Sequence, residues 1–79
     1  MSKEFKYRVK LLNGDIKDIV VKKIEGWWFS STKYIIYEEL SDFFFSTKRE
    51  IGEIEDIGQL RDALSGYYGG IKEIKIRGS

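Results

Sequence analysis

The stretch FKYRVKLLNGDIKDIVVKKI, residues 5–24, decides the fold. From Phe5 onward apolar side chains alternate with cations: Phe5, Tyr7, Val9 and Leu11 on one side, Lys6, Arg8 and Lys10 on the other. Successive residues of a strand point to opposite faces, so a period of two marks a half-buried β-strand. Asn13-Gly14 then supplies the strongest short-range hairpin signal, because a type I′ turn needs positive φ at both central residues. A returning strand is expected from about Asp15 to Ile24. A strict two-residue turn sets Val9 opposite Asp18. One additional residue sets Val9 opposite Ile19, Tyr7 opposite Val21 and Lys10 opposite Asp18, which keeps one face apolar and pairs a charge. A bulge or three-residue loop near Asn13–Asp15 is therefore expected, since a slip of one residue turns every side chain to the other face.

Working outward, Trp27 to Phe29, the polar Ser30–Lys33 and then Tyr34 to Tyr37 favour a third strand through their β-branched and aromatic residues. Ser41-Asp42 reads as a turn, and Phe43 to about Glu55 as a fourth strand, with Gly52 marking a bend or bulge. A competing reading makes Tyr37–Phe45 helical, because Ile36, Leu40, Phe43 and Phe44 also fit a period of 3.6. The clear helix begins at Asp56, whose carboxylate caps the first turn while Gln59 reaches back. Ile57, Leu60, Leu64 and either Tyr67 or Tyr68 form its apolar face. Gly66 or Gly69 ends it, and Ile71–Arg77 alternates again as a last strand. No linker or repeat interrupts the chain. Residues 1–79 are expected to form one α+β domain: a small, mostly antiparallel sheet or SH3-like partial barrel, in the order ββββαβ, with one helix packed on the sheet.

At 79 residues such a domain buries only a little over 60% of its unfolded surface, so a second copy of the chain would be a natural supplement to its core. The chain has no Cys and no His, which removes disulfides, thiol nucleophiles, zinc sites and His-based triads together. No cofactor and no metal are expected, and the composition fits a cytoplasmic protein. No segment approaches the roughly 20 apolar residues that span a bilayer, and residues 1–8 lack a signal-peptide core. The net charge of +1 conceals a basic, acidic, basic pattern. Residues 1–37 hold eight Lys/Arg and four Asp/Glu, whereas residues 38–62 hold three and eight. Either the ends flank the acidic middle within the fold, or a basic face meets an anionic partner.

Phe5-Lys6-Tyr7, Lys22-Lys23-Ile24, Trp27, Lys33, Tyr34, Ile36 and Tyr37 together resemble the small archaeal chromatin proteins of the seven-kilodalton class. The resemblance rests on scattered residues over half the chain, and implies an SH3-like barrel and minor-groove DNA binding. This chain departs from that class in being nearly neutral and in carrying a strand after its helix.

Neighbouring strand residues face opposite ways, so Trp27, Trp28 and Phe29 cannot all point inward, nor can Phe43, Phe44 and Phe45. Trp28 can fill the core while Trp27 and Phe29 cap a sheet edge. Alternatively, exposed rings form a contact surface, since large aromatic side chains dominate binding hot spots. The partner surface expected on that basis comprises Trp27, Phe29, Tyr34, Tyr37 and Phe44. Glu50, Glu53, Glu55 and Asp56 read as a solvated edge and a helix cap, and Gly66–Gly70 as a connector.

The function expected is a non-enzymatic, intracellular protein-binding module, adaptor or inhibitor-like, of the kind carried by phages and mobile elements, with an unidentified protein or a second copy as its partner. The alternative is a nucleic-acid binder that uses Lys6, Arg8, Lys10, Lys22, Lys23 and Lys33 beside the aromatic sheet. Trp27→Ala is expected to weaken partner capture while leaving the thermal midpoint nearly unchanged; a large fall in the midpoint would place that ring in the core.

Overall fold

The computed structural model describes residues 2–25, 32–41 and 45–77. They form β1 (Ser2–Leu11), β2 (Ile16–Glu25), β3 (Thr32–Ser41), β4 (Ser46–Ile54), a 3₁₀ turn at Ile57–Gln59, α1 (Leu60–Tyr68) and β5 (Ile71–Ile76). The strands make a five-stranded antiparallel sheet in the order β4-β3-β2-β1-β5. The fold is therefore α+β, with β4 and β5 as its edges. No pairing joins those edges into a barrel among the described residues.

The β1–β2 register differs from expectation by two residues. Val9 faces Lys17, Tyr7 faces Ile19, Arg8 faces Asp18 and Lys10 faces Ile16. The loop does hold three residues, but the additional one is Leu12, before Asn13-Gly14 and not after it: the Gly14 amide donates to the Leu11 carbonyl at 3.0 Å, and the Leu11 amide to the Asp15 carbonyl at 2.8 Å. Only Gly14 of this loop has positive φ, at 94°, so Asn13 does not take the conformation a type I′ turn requires. The Asn13 side-chain oxygen accepts from the Asp15 amide at 3.0 Å. Because the displacement is two residues, the apolar face of β1 stays apolar.

On that face Val9, Leu11, Ile19, Val21, Ile36, Ile54 and Ile71 meet Leu60 and Leu64 of α1 to form the core. This side of the sheet is the helix face, and the other is the open face. α1 runs from the end of one edge strand to the start of the other. Asp56 caps its approach by accepting from the Gly58 amide at 3.2 Å, and Gln59 reaches back to the Glu55 amide at 3.2 Å. Gly69, at φ 77°, ends the helix. Gly70 follows at φ 119°, a backbone conformation that L side chains rarely adopt, so the turn into β5 favours glycine. Ile51 is the additional residue of a bulge beside Gly52, since Ile36 faces Gly52 while Tyr37 faces Glu50. Strand β3 continues through Ser41, which overturns the helical reading for Tyr37–Ser41. Pairing with β2 as far as Glu39 and with β4 as far as Ser41 satisfies the backbone there and outweighs the helical period.

One carboxylate lies within the helix face. Glu38 is 3% exposed and accepts from the Tyr68 hydroxyl at 2.9 Å and from Arg49 Nη2 at 2.9 Å, with Lys17 Nζ at 3.8 Å. Burial of a carboxylate is tolerated because donors from β4, α1 and β2 surround it. The cluster ties the helix to the sheet. Burial, and then the hydrogen bond to Glu38 and its charge, push the Tyr68 phenol well above its ordinary value of 10.0. A group whose pKa is raised on folding contributes stability below its unfolded pKa and loses it as pH climbs through the folded one. Tyr68→Phe is expected to cost about 1–3 kcal/mol at neutral pH. In chemical denaturation from pH 7 to pH 11, that difference between the two proteins is expected to shrink above pH 10; a constant difference would mean that the hydroxyl does not hold the latch.

Candidate functional site

The open face is built by the other half of the same alternation. Its cross-strand rows follow from the register. One reads Lys75, Arg8, Asp18, Glu39, Lys48 from β5 to β4. The next reads Lys6, Val20, Tyr37, Glu50, with Arg77 beyond Lys6 through an amide bond to the Lys6 carbonyl at 2.9 Å. The third reads Glu4, Lys22, Ile35, Glu53.

Charge is unevenly spread across these rows. Cations outnumber carboxylates on β5 and β1, carboxylates outnumber cations on β4, and β2 and β3 carry one of each, Lys22 with Asp18 and Lys33 with Glu39. Arg8 Nε donates to Asp18 at 3.3 Å, and Arg77 Nη1 to Glu39 at 3.4 Å, with Asp18 at 3.8 Å. Lys33 meets Glu53 at 3.3 Å. Lys48 Nζ meets Glu4 at 3.4 Å although β4 and β1 lie three strand spacings apart, about 14 Å in a flat sheet, so both side chains must lie along the face. Lys22 Nζ sits 5.9 Å from the centre of the Tyr37 ring. Beneath this cover Val20 is 0% exposed, an apolar residue buried on a charged face. Exposed ion pairs contribute little singly, so long aliphatic stems shielding apolar surface account for more of the cover's stability.

Among the described residues, Lys6, Lys10 and Lys22 have no acidic partner and Glu50 has no basic one. Along the β1–β5 margin a shallow depression of about 350 Å³ is lined by Arg8, Lys75, Ile76 and Arg77, and one of about 170 Å³ adjoins it at Lys10, Ile16 and Glu73. No group of three acidic side chains able to hold a metal occurs among the described residues. No described helix is long and apolar enough to cross a membrane.

The expected site residues divide between the two faces. Lys6, Arg8, Lys10, Lys22, Lys33 and Tyr37 share the open face. Lys23 and Tyr34 do not: they pair with each other on the helix face. There Tyr34 packs against the core, and Lys23 bonds Glu25 at 3.0 Å, an interaction that raises the Lys23 ammonium and lowers the Glu25 carboxyl. The physical reason is parity: Tyr34 and Tyr37 stand three apart on one strand, as Lys22 and Lys23 stand one apart, so neither pair shares a face. For the same reason Glu38 does not sit among the open-face cations, whereas Glu39 does. Trp27, Phe29 and Phe44 lie outside the described residues. Sequence reasoning missed Lys75 and Arg77. Their alternation was visible, but only the order of strands places β5 beside β1.

No family model matches the chain, and no curated protein or solved structure does either. Val20→Ala tests whether the charged cover shields an apolar strip. It is expected to lower unfolding stability by about 2 kcal/mol in urea titration; a loss below about 0.5 kcal/mol, ordinary for a surface position, would mean that the face is open to water.

Proposed function

We propose that the chain is a non-enzymatic, intracellular protein-binding module, adaptor or inhibitor-like, and that its contact surface is the open face. The observation that carries this reading is the row Lys6, Val20, Tyr37, Glu50, in which a cation and a carboxylate, each without a partner among the described residues, flank the Tyr37 ring over the buried Val20. A folded protein can present an acid over Lys6, an apolar side chain over Tyr37 and a base over Glu50. Such complementarity fixes register and rejects wrong partners more than it adds raw affinity. The absence of His and Cys from the chain also favours recognition over catalysis.

The second reading, nucleic-acid binding, has its own support in the shared placement of Lys6, Arg8, Lys10, Lys22 and Lys33. Against it stand the carboxylates interspersed on the same face, because a nucleic acid carries a single sign of charge along its length. Glu39, Glu50 and Glu53 would meet phosphate.

Charge reversal separates the two. With the immobilised chain, Lys6→Glu and Glu50→Lys are each expected to reduce capture of a protein partner from cell extract. Oligonucleotides are expected to bind weakly at physiological salt. If Lys6→Glu weakens oligonucleotide binding while Glu50→Lys strengthens it, and affinity falls steeply with salt, the protein reading fails and the nucleic-acid reading takes its place.

A further inference from the structure

The two sheet edges are unlike each other. β4 carries consecutive charges at Lys48, Arg49 and Glu50 and a bulge at Ile51, which are devices that discourage further strand pairing. β5 is regular from Glu73 to Ile76, and its register shift lies nearer the turn, at Lys10/Leu11. The amide of Arg77 bonds the Lys6 carbonyl, so in the alternation of an antiparallel ladder the backbone groups of Lys75 and Glu73 also face β1. Those of Ile74 and Ile76 therefore face outward, and as β5 is an edge they have no strand partner among the described residues. The Ile76 side chain is 81% exposed.

We propose that this edge is the contact between two copies of the chain, β5 pairing antiparallel with β5 of a second copy to make one continuous sheet. The register follows from charge and bonding together. With Ile74 opposite its own copy, outward backbone groups meet outward groups, and Glu73 of each chain stands opposite Lys75 of the other, twice over by symmetry. A slide of two residues sets Lys75 against Lys75, a like-charge pair. A slide of one sets outward groups against inward ones. Within a single copy Lys75 reaches along its own strand to Glu73 at 3.1 Å, and both side chains are well exposed, so they exchange partners readily. The two-fold axis stands perpendicular to the sheet, as in any isologous edge pairing, and keeps both helices on one side. A six-residue edge buries little area, which places the dimer among weak, concentration-dependent ones. The open-face reading above is independent of this one.

The test is sedimentation of the full chain over a wide concentration range, with amide exchange read in parallel. A monomer–dimer equilibrium is expected, with the Ile74 and Ile76 amides gaining protection as concentration rises. Glu73→Lys and Lys75→Glu are each expected to raise the dimer Kd about tenfold, and the double swap to restore it. Ile76→Pro removes an outward N–H and leaves the β1 ladder intact, so it is expected to abolish the dimer without unfolding the monomer. A monomer mass at every soluble concentration overturns the proposal, including the case in which a strand of a different protein takes this edge. A dimer indifferent to all of these substitutions overturns it too.

Discussion

Three consecutive residues at the centre of β2, Ile19, Val20 and Val21, are all fully buried, and the rest of the structure depends on that fact. A strand whose neighbouring side chains are all shielded must be covered on both faces, because they point to opposite sides. One cover is α1 with its Leu60 and Leu64. Among the described residues the other cover has no secondary structure of its own, and long side chains of β1, β3, β4 and β5 lie on that face. Stems of Lys, Arg and Glu there stand in, among the described residues, for a third layer.

That arrangement explains why the two faces carry different chemistry. The helix face tolerates one carboxylate, Glu38, because three elements supply it with donors. The open face instead spreads its charges in cross-strand rows and leaves a few unmatched. Matched pairs hold the cover in place, and unmatched charges are the part of it available for recognition. Arg77 shows the cost of the device: its Nε and Nη2 are buried with no acceptor among the described residues, while Nη1 bridges to Asp18 and Glu39.

Local sequence made much of this legible. The alternation from Phe5 to Leu11 identified β1 and its buried side, and Asn13-Gly14 located the hairpin. Asp56 and Gln59 marked the approach to the helix, and Gly52 marked the β4 bulge. The register escaped, because Leu12 can serve either as the last strand residue or as the first loop residue, and neither choice disturbs the apolar face. The site was legible as a set of cations but not as a surface. Which cations are matched depends on strand order, and nothing in Ile71–Arg77 says that β5 lies beside β1. The division of aromatics followed from parity alone, and grouping Tyr34 with Tyr37 by proximity in the chain overlooked it.

The placement of β5 also bears on how the fold is reached. Strands β1 to β4 form a meander of sequential neighbours, and pair through local turns. β5 must instead cross the whole width of the sheet with α1 to find the strand made first, so β1 keeps an open edge during synthesis until the chain beyond Gly70 has emerged. A bare edge with Tyr7, Val9 and Leu11 on one side invites pairing with other nascent chains. Lys6, Arg8 and Lys10 alternate through that same strand, where repulsion between copies acts as a gatekeeper against aggregation. The cations on the open face thus have a role before the native fold exists: they keep the first strand single until the last one arrives.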